Sequence, residues 1–344
     1  MAFLRGVILA FSLGILAPGK PVGAFEVTPP CAAEGPNVIL FTWDGVRTRE
    51  FFRGTGLFHH HKIPAEERGR IFTRFWTQHA SKGLVLGGLG RYQIASSIAI
   101  SLPSYQALMA GHPTGCRGNS CGRIDETTVL EAVRQSLDLP KSKVAVFASW
   151  EGISRAFARD PDQVTHGIYP EIFDDGTGDL EMARLQQQSL IDLPGWGGSR
   201  KDEYTFRMGM HYLKTRCPRL LYISLVDSDE FGHQRNYPGY IRSLKTYDRY
   251  LDELIRTLED MGEYGRQTTL FVTTDHSRGP GPFWGGHATL KHSERSVFFY
   301  AWGRGVRPTG RSCQRGGHDR IRPTIEYLLG LNPTGKLLPG IRVD

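Results

Sequence analysis

No long apolar run occurs in this 344-residue chain. The greasiest stretch, Gly6 to Leu16, is about eleven residues, short of the roughly 18–20 that cross a bilayer as a helix. No transmembrane anchor is therefore expected once the amino-terminal segment is removed. None of the five cysteines forms a Cys-x-x-Cys, which makes metal binding by thiolates the weaker reading and leaves disulfides as the first. Repeats and low-complexity tracts are absent, and so is any basic block with interleaved aromatics. The formal charge of +7, or +5 without Arg5 and Lys20, is spread along the chain. It slightly favours a small anionic substrate and gives no case for a nucleic-acid partner.

What is present begins with a leader. One positive charge at Arg5, the short apolar run, Pro18 and Pro21, then Val22-Gly23-Ala24 read as a secretory signal peptide over 1–24. The alternative is an uncleaved anchor, which the two prolines oppose. Cleavage after Ala24 leaves a mature chain from Phe25, one domain over 25–344, secreted or periplasmic. An oxidising compartment makes its cysteines disulfide candidates. Cys116 and Cys121 can close locally in a Gly/Asn/Ser loop; Cys217 and Cys313 would then be a long-range pair with Cys31 odd, a pairing that the sequence leaves open.

Short apolar runs alternate with amphipathic segments, which predicts an α/β fold with a mostly parallel central sheet and helices on both faces. The expected strands are Asn37–Trp43, Lys143–Trp150, Leu220–Val226, Thr268–Thr274 and Ser296–Trp302. Helices are expected over Pro103–Ala110, Thr128–Leu137, Tyr240–Asp260 and Arg320–Leu329. The weakly periodic stretch within about 151–198 suggests a small cap or insertion. Three strands end on acids: Asp44, the pair Asp227 and Asp229, and Asp275. Ligands of open α/β sheets lie beyond the carboxyl ends of the strands, so these acids mark a site for cations.

Imidazoles accompany the acids: His233 four residues after Asp229, His276 next to Asp275, and His287 after a Gly/Pro-rich loop. Mixed carboxylate and imidazole sets suit zinc and similar divalent ions. Ser101 opens Ser-Leu-Pro-Ser-Tyr, with Pro103 marking a first helical turn; there backbone N–H groups favour a phosphate. A plain N-cap is the rival reading. The run His59-His60-His61 reads as a surface loop. Arg47 reads either as a substrate contact or as an ordinary surface arginine.

These blocks, in this order from about Asn37 to Pro333, resemble the alkaline phosphatase superfamily, closest to its nucleotide pyrophosphatase/phosphodiesterase branch. The resemblance implies two divalent ions, zinc or manganese. One would lie on Asp44, Asp275 and His276 with Ser101 bound to it, the other on Asp229, His233 and His287. Asp227 and His292 are rivals with poorer spacing. It further implies that Ser101 attacks a small phosphate ester, a phosphodiester or nucleotide-type substrate, through a phosphoseryl intermediate; Ser104 and Arg47 are the candidate substrate contacts. A phosphomonoesterase or phosphonate hydrolase on the same scaffold is the alternative, and a silent exported metal-binding protein the alternative of another class. Ser104 stands where many phosphodiesterase relatives carry a phosphoryl-contacting asparagine. Tyr105 occupies the place of the arginine required for formylglycine-type sulfatases, and the mature chain is short for the inserted domain of the cofactor-independent phosphoglycerate mutases.

Overall fold

The computed structural model describes Cys31 and residues 34–63, 71–88, 91–288 and 292–342. The leader and its cleavage point lie outside the described residues. Among the described residues ten strands occur in chain order: β1 Asn37–Trp43, β2 Leu84–Gly87, β3 Tyr92–Gln93, β4 Val144–Ala148, β5 Thr165–Ile168, β6 Leu220–Leu225, β7 Thr268–Thr273, β8 Phe298–Gly303, β9 Gly310–Arg311 and β10 Gly316–Gly317. Eight form one sheet in the order β5-β4-β6-β1-β7-β8-β2-β9, and β10 pairs with β3 separately. All pairings in the large sheet are parallel except β7 with β8 and β8 with β2.

The parallel strands are buried along their length, as strands covered on both faces must be. Successive side chains of a strand point to opposite faces, and β1 divides accordingly. Ile39, Phe41 and Trp43 enter one core with Phe206 and Tyr212 of helix Asp202–Arg216 and with Leu244, Tyr247 and Leu251 of helix Tyr237–Asp260. Val38 and Leu40 enter the other, with Leu102, Tyr105 and Leu108 of helix Ser101–Ala110 and Ile321 and Ile325 of helix Ile321–Leu328. Burying an aliphatic or aromatic side chain of this kind contributes roughly 1.5–3 kcal/mol. The two layers thus fix the sheet from both sides.

The segment expected as a cap is partly sheet. β5 within it forms the sheet edge beside β4, and helix Leu180–Ile191 lies against helix Asp202–Arg216. There the N-cap residue Asp179 accepts from Met182 N–H and faces His211 at 2.8 Å. The disulfides divide in the same way. Cys116–Cys121 forms as expected, whereas Cys217 pairs with Cys31 and Cys313 is free and exposed. The reason is strand order. β1 and β6 are parallel neighbours in register Val38↔Leu220, so Cys31, before β1, and Cys217, before β6, meet at the amino edge. Cys313 follows β9 at the far end of the sheet.

Candidate metal centre and active site

Asp44 leaves β1, Asp275 and His276 leave β7, and Asp229 lies in helix Asp227–His233 just after β6. β6, β1 and β7 are adjacent and parallel, so all arrive at one carboxyl edge. Gly45 makes the crossing possible. Its φ of +65° suits glycine, and a Cβ there would run into Asp229 Oδ1 and Arg278.

Asp44, Asp275 and His276 are each at most 1% exposed. Each carboxylate has one oxygen hydrogen-bonded: Asp44 Oδ2 accepts from the Tyr105 hydroxyl at 3.1 Å, and Asp275 Oδ1 from Gly45 N–H at 3.0 Å. Asp44 Oδ1 and Asp275 Oδ2 are buried and receive no hydrogen bond from the described residues. They lie 3.6 and 3.3 Å from His276 Nε2. Burial, with the charges of Asp275 and Asp229 beside it, pushes the Asp44 carboxyl well above its usual range. Burial and then Asp229 push Asp275 up to about 8. His276 is held well below the usual imidazole value by burial and by His287. Its Nδ1 faces the Ser277 carbonyl at 3.1 Å, which can only accept, so Nε2 carries the lone pair. Two such carboxylate oxygens and one imidazole lone pair in a buried pocket fit a divalent cation.

Ser101 meets this group. Its Oγ is 3.2 Å from His276 Nε2. Ser101 is itself the first residue of the helix, whose N-cap position is Ile100 and has no side-chain cap, so the N-cap reading of Ser101 does not hold. The capping oxygen comes instead from Asn119 Oδ1, which accepts from Leu102 N–H at 3.0 Å. Asn119 stands inside the loop closed by Cys116–Cys121, and its amide is thereby fixed beside the serine.

The second group has a different character. Asp229 Oδ2 is 2.8 Å from His233 Nε2, which is 3.1 Å from His287 Nε2. His287 Nδ1 donates to the Ala99 carbonyl at 2.7 Å, which leaves its Nε2 as an acceptor aimed at the others. The rings of His276 and His287 stack 3.9 Å apart, so the two groups adjoin. Asp229 Oδ1 forms an ion pair with the buried Arg278, which also donates to the carbonyls of Trp284 and Gly285. Burial acts against ionisation of Asp229, yet the Arg278 guanidinium and then His287 hold its carboxyl well below the usual range. The hydrogen bond that His233 donates to Asp229 raises its imidazole above the usual value. Candidate cation-holding sets among the described residues are Asp44, Asp275, His276 and Asp229, His276, His287, with His233 against the latter.

The rivals fall away on position. Asp227 N–H, like Val226 N–H, donates to Asp202 at 2.8 Å, and burial together with Asp202 raises the Asp227 carboxyl; it joins neither set. His292 Nε2 faces Gln93 at 2.7 Å instead. Ser104 is buried with its Oγ 3.2 Å from Ser96 Oγ. Arg47 is neither on the surface nor turned to the site: it is buried, pairs with Glu50, and donates to the Gly279 carbonyl at 3.1 Å. His59 is no surface residue either, since it is buried and stacks 4.1 Å from Tyr237. Arg278 and Asn119 were not foreseen. Each works through a tertiary contact, and only the position of Arg278 two residues after His276 could have drawn notice.

Residues 200–333 match the family model of the Metalloenzyme superfamily, a span that holds Asp229, His233, Asp275, His276 and His287 but neither Asp44 nor Ser101. The phosphopentomutase of Erwinia tasmaniensis is 32% identical over 115 residues, covering 33% of this chain and 25% of that protein. The chain therefore spans about a quarter of the length of the curated relatives it matches. Among solved structures, wild-type alkaline phosphatase PafA has a TM-score of 0.61 at 12% identity, covering 90% of this chain and 100% of that one. A putative sulfatase from Bacteroides thetaiotaomicron has a TM-score of 0.60 at 14% identity, with 88% and 72% covered. These likenesses carry the fold. The matched model carries a likeness to the Metalloenzyme superfamily over residues 200–333 alone, and neither comparison lends the nucleotide pyrophosphatase branch support of its own.

Proposed function

We propose that the chain is a metal-dependent phosphohydrolase that opens phosphate esters, phosphodiesters or nucleotide-type esters among them, with Ser101 as the nucleophile. One observation carries the reading: the Ser101 hydroxyl stands 3.2 Å from His276 Nε2, beside two buried carboxylate oxygens that lack partners among the described residues. Asp44, Asp275 and His276 would hold one divalent ion and Asp229, His233 and His287 a second. Bound there, zinc or manganese supplies positive charge that eases ionisation of a hydroxyl and neutralises a departing oxygen.

The rest is done by the chain. Ser101 Oγ attacks phosphorus in line, the ester oxygen leaves and takes up a proton, and a water then cleaves the phosphoserine. The positive end of helix Ser101–Ala110 faces the phosphoryl group. Asn119 spends its Oδ1 on Leu102 N–H, which leaves its NH₂ to donate to a phosphoryl oxygen. The asparagine contact thus comes from the disulfide loop and is not replaced by Ser104. Tyr105 fixes Asp44, and Arg278 fixes Asp229 so that Oδ2 is presented to the ion. The described helices include none long and apolar enough to cross a membrane, and the two disulfides favour an oxidising compartment outside the cytosol.

Assay of the full chain on nitrophenyl monoesters and diesters, with zinc or manganese and after chelation, tests this. Turnover that needs added ion, with the better substrate setting the ester class, is the expected result. Full turnover after exhaustive chelation would contradict it.

A further inference from the structure

Away from both ligand sets lies a cavity of about 520 Å³, lined by Arg91, Arg315 and Arg320 against one carboxylate, Asp319. Three guanidinium groups and one carboxylate leave the lining two charges positive. Arg91 Nη1 donates to the Cys313 carbonyl at 2.8 Å, and Arg320 Nη1 to the Arg315 carbonyl at 3.4 Å. Carbonyl partners orient these arginines without cancelling their charge. β3 and β10 run through the lining in register Gly316↔Tyr92, and a Cβ on Gly316 would press to 3.0 Å from the Tyr92 ring. Glycine there lets the buried Tyr92 ring pack close against the strand that lines the cavity.

The place of this cavity matters. β2 is antiparallel to β8, and β8 to β7, so β2 runs the same way as β7 and β1. The chain leaving β2 therefore emerges on the carboxyl edge that carries Asp44 and Asp275. Ala95 lines the cavity and precedes Ser101 by six residues, so their Cα atoms are within about 20 Å. A smaller cavity of about 150 Å³ lined by Arg49, Arg53 and Arg311 also touches Gly88, whose carbonyl accepts Arg91 N–H at 3.4 Å. Two basic cavities on one edge concentrate anions there.

We propose that the Arg91–Arg315–Arg320 cavity is a second oxyanion site that takes a phosphate or sulfate group. Guanidinium forks match two oxygens of a tetrahedral anion at once, which favours such groups over a simple point charge. The group comes either from the substrate of the nearby centre, when that carries a second anion, or from solution. Only the first source rests on the phosphohydrolase reading.

Equilibrium dialysis of the metal-loaded full chain with labelled inorganic phosphate tests the site. Two phosphates per chain are expected, one lost on chelation and the other lost or weakened at least about tenfold by Arg315→Gln with Arg320→Gln. Inorganic sulfate should compete for the second. Asp319→Asn should tighten it and serves as the check should the double variant fail to fold. Turnover of nitrophenyl phosphate should be unchanged in both variants. With a nitrophenyl phosphate bearing a second phosphate, a raised KM at constant kcat in the double variant identifies the substrate as the source, and an unchanged KM identifies free anion. A single phosphate removed by the arginine changes but kept on chelation would uphold this site and contradict the metal-centre reading. Phosphate binding that neither the arginine changes nor Asp319→Asn alters overturns the proposal.

Discussion

The two ligand sets handle buried charge in opposite ways. At the inner set, Asp44 and Asp275 share a buried pocket with a histidine held well below the usual imidazole value, and burial holds both carboxyls high. At the outer set, Asp229 is equally buried but has Arg278, and its carboxyl is held low. His233, which completes the outer set, has a side chain 49% exposed. Among the described residues the chain thus carries a cation of its own at one set and none at the other. An ion at the inner set supplies charge that the fold omits, while an ion at the outer set joins charge already balanced.

The largest break in this comparison is Asp275→Asn. Its Oδ1 can still accept from Gly45 N–H, but one charge that faces the ion is gone. Loss of several kcal/mol of charge stabilisation predicts a fall in turnover of roughly 10³-fold or more. The chelated variant should nevertheless melt higher than the chelated parent, because a buried carboxyl has been relieved. A lower melting temperature would show that the inner set is not short of positive charge.

Arg278→Met attacks the other side of the comparison. It leaves Asp229 buried without its cation, which should cost about 3–5 kcal/mol in urea unfolding of the chelated protein. The same change made in an Asp229→Asn background should cost distinctly less, and equal costs would remove the ion pair as the cause.

Acidity sharpens the contrast without mutation. A carboxyl raised by folding contributes its stability below the unfolded value, about 3.9, and loses it as pH rises through the folded value, about 8 for Asp275. The chelated protein should therefore lose melting temperature between about pH 4 and pH 8 on account of Asp44 and Asp275. Saturating ion should flatten that slope, since binding draws off the protons. A chelated protein that gains stability over this window would contradict the assignment. The smallest effect is expected at the exposed ligand: His233→Ala should weaken the outer ion by at least about 10- to 100-fold, the scale already set by losing a group that only supports a ligand, and leave the inner ion in place, as metal titration would read.

How much of this was legible follows from the same physics. β1 and β6–β8 announce themselves because each is an apolar run buried on both faces, and the acids at their ends inherit that clarity. β2 and β5 are four residues each and too short to stand out. The partner of Cys217 depends on β6 lying beside β1, which local sequence does not encode. Ser101 was readable from Pro103, but the cap on its helix was not, because Asn119 reaches it from a loop seventeen residues beyond Leu102. Arg47 misled for a like reason: its partner Glu50 is three residues on, yet only packing against Tyr240 and Tyr237 buries the pair.

The central claim is that the Ser101 hydroxyl, placed against the inner set, becomes the site of phosphoryl transfer. Rapid quenching of the metal-loaded protein with labelled phosphate ester, followed by peptide mapping, measures this most directly. Label on Ser101 within a single turnover, absent from Ser101→Ala, which should keep its fold and ions while losing turnover by several orders of magnitude, is the predicted result. Turnover without label on Ser101, retained in the alanine variant, would contradict it and assign the attack to water.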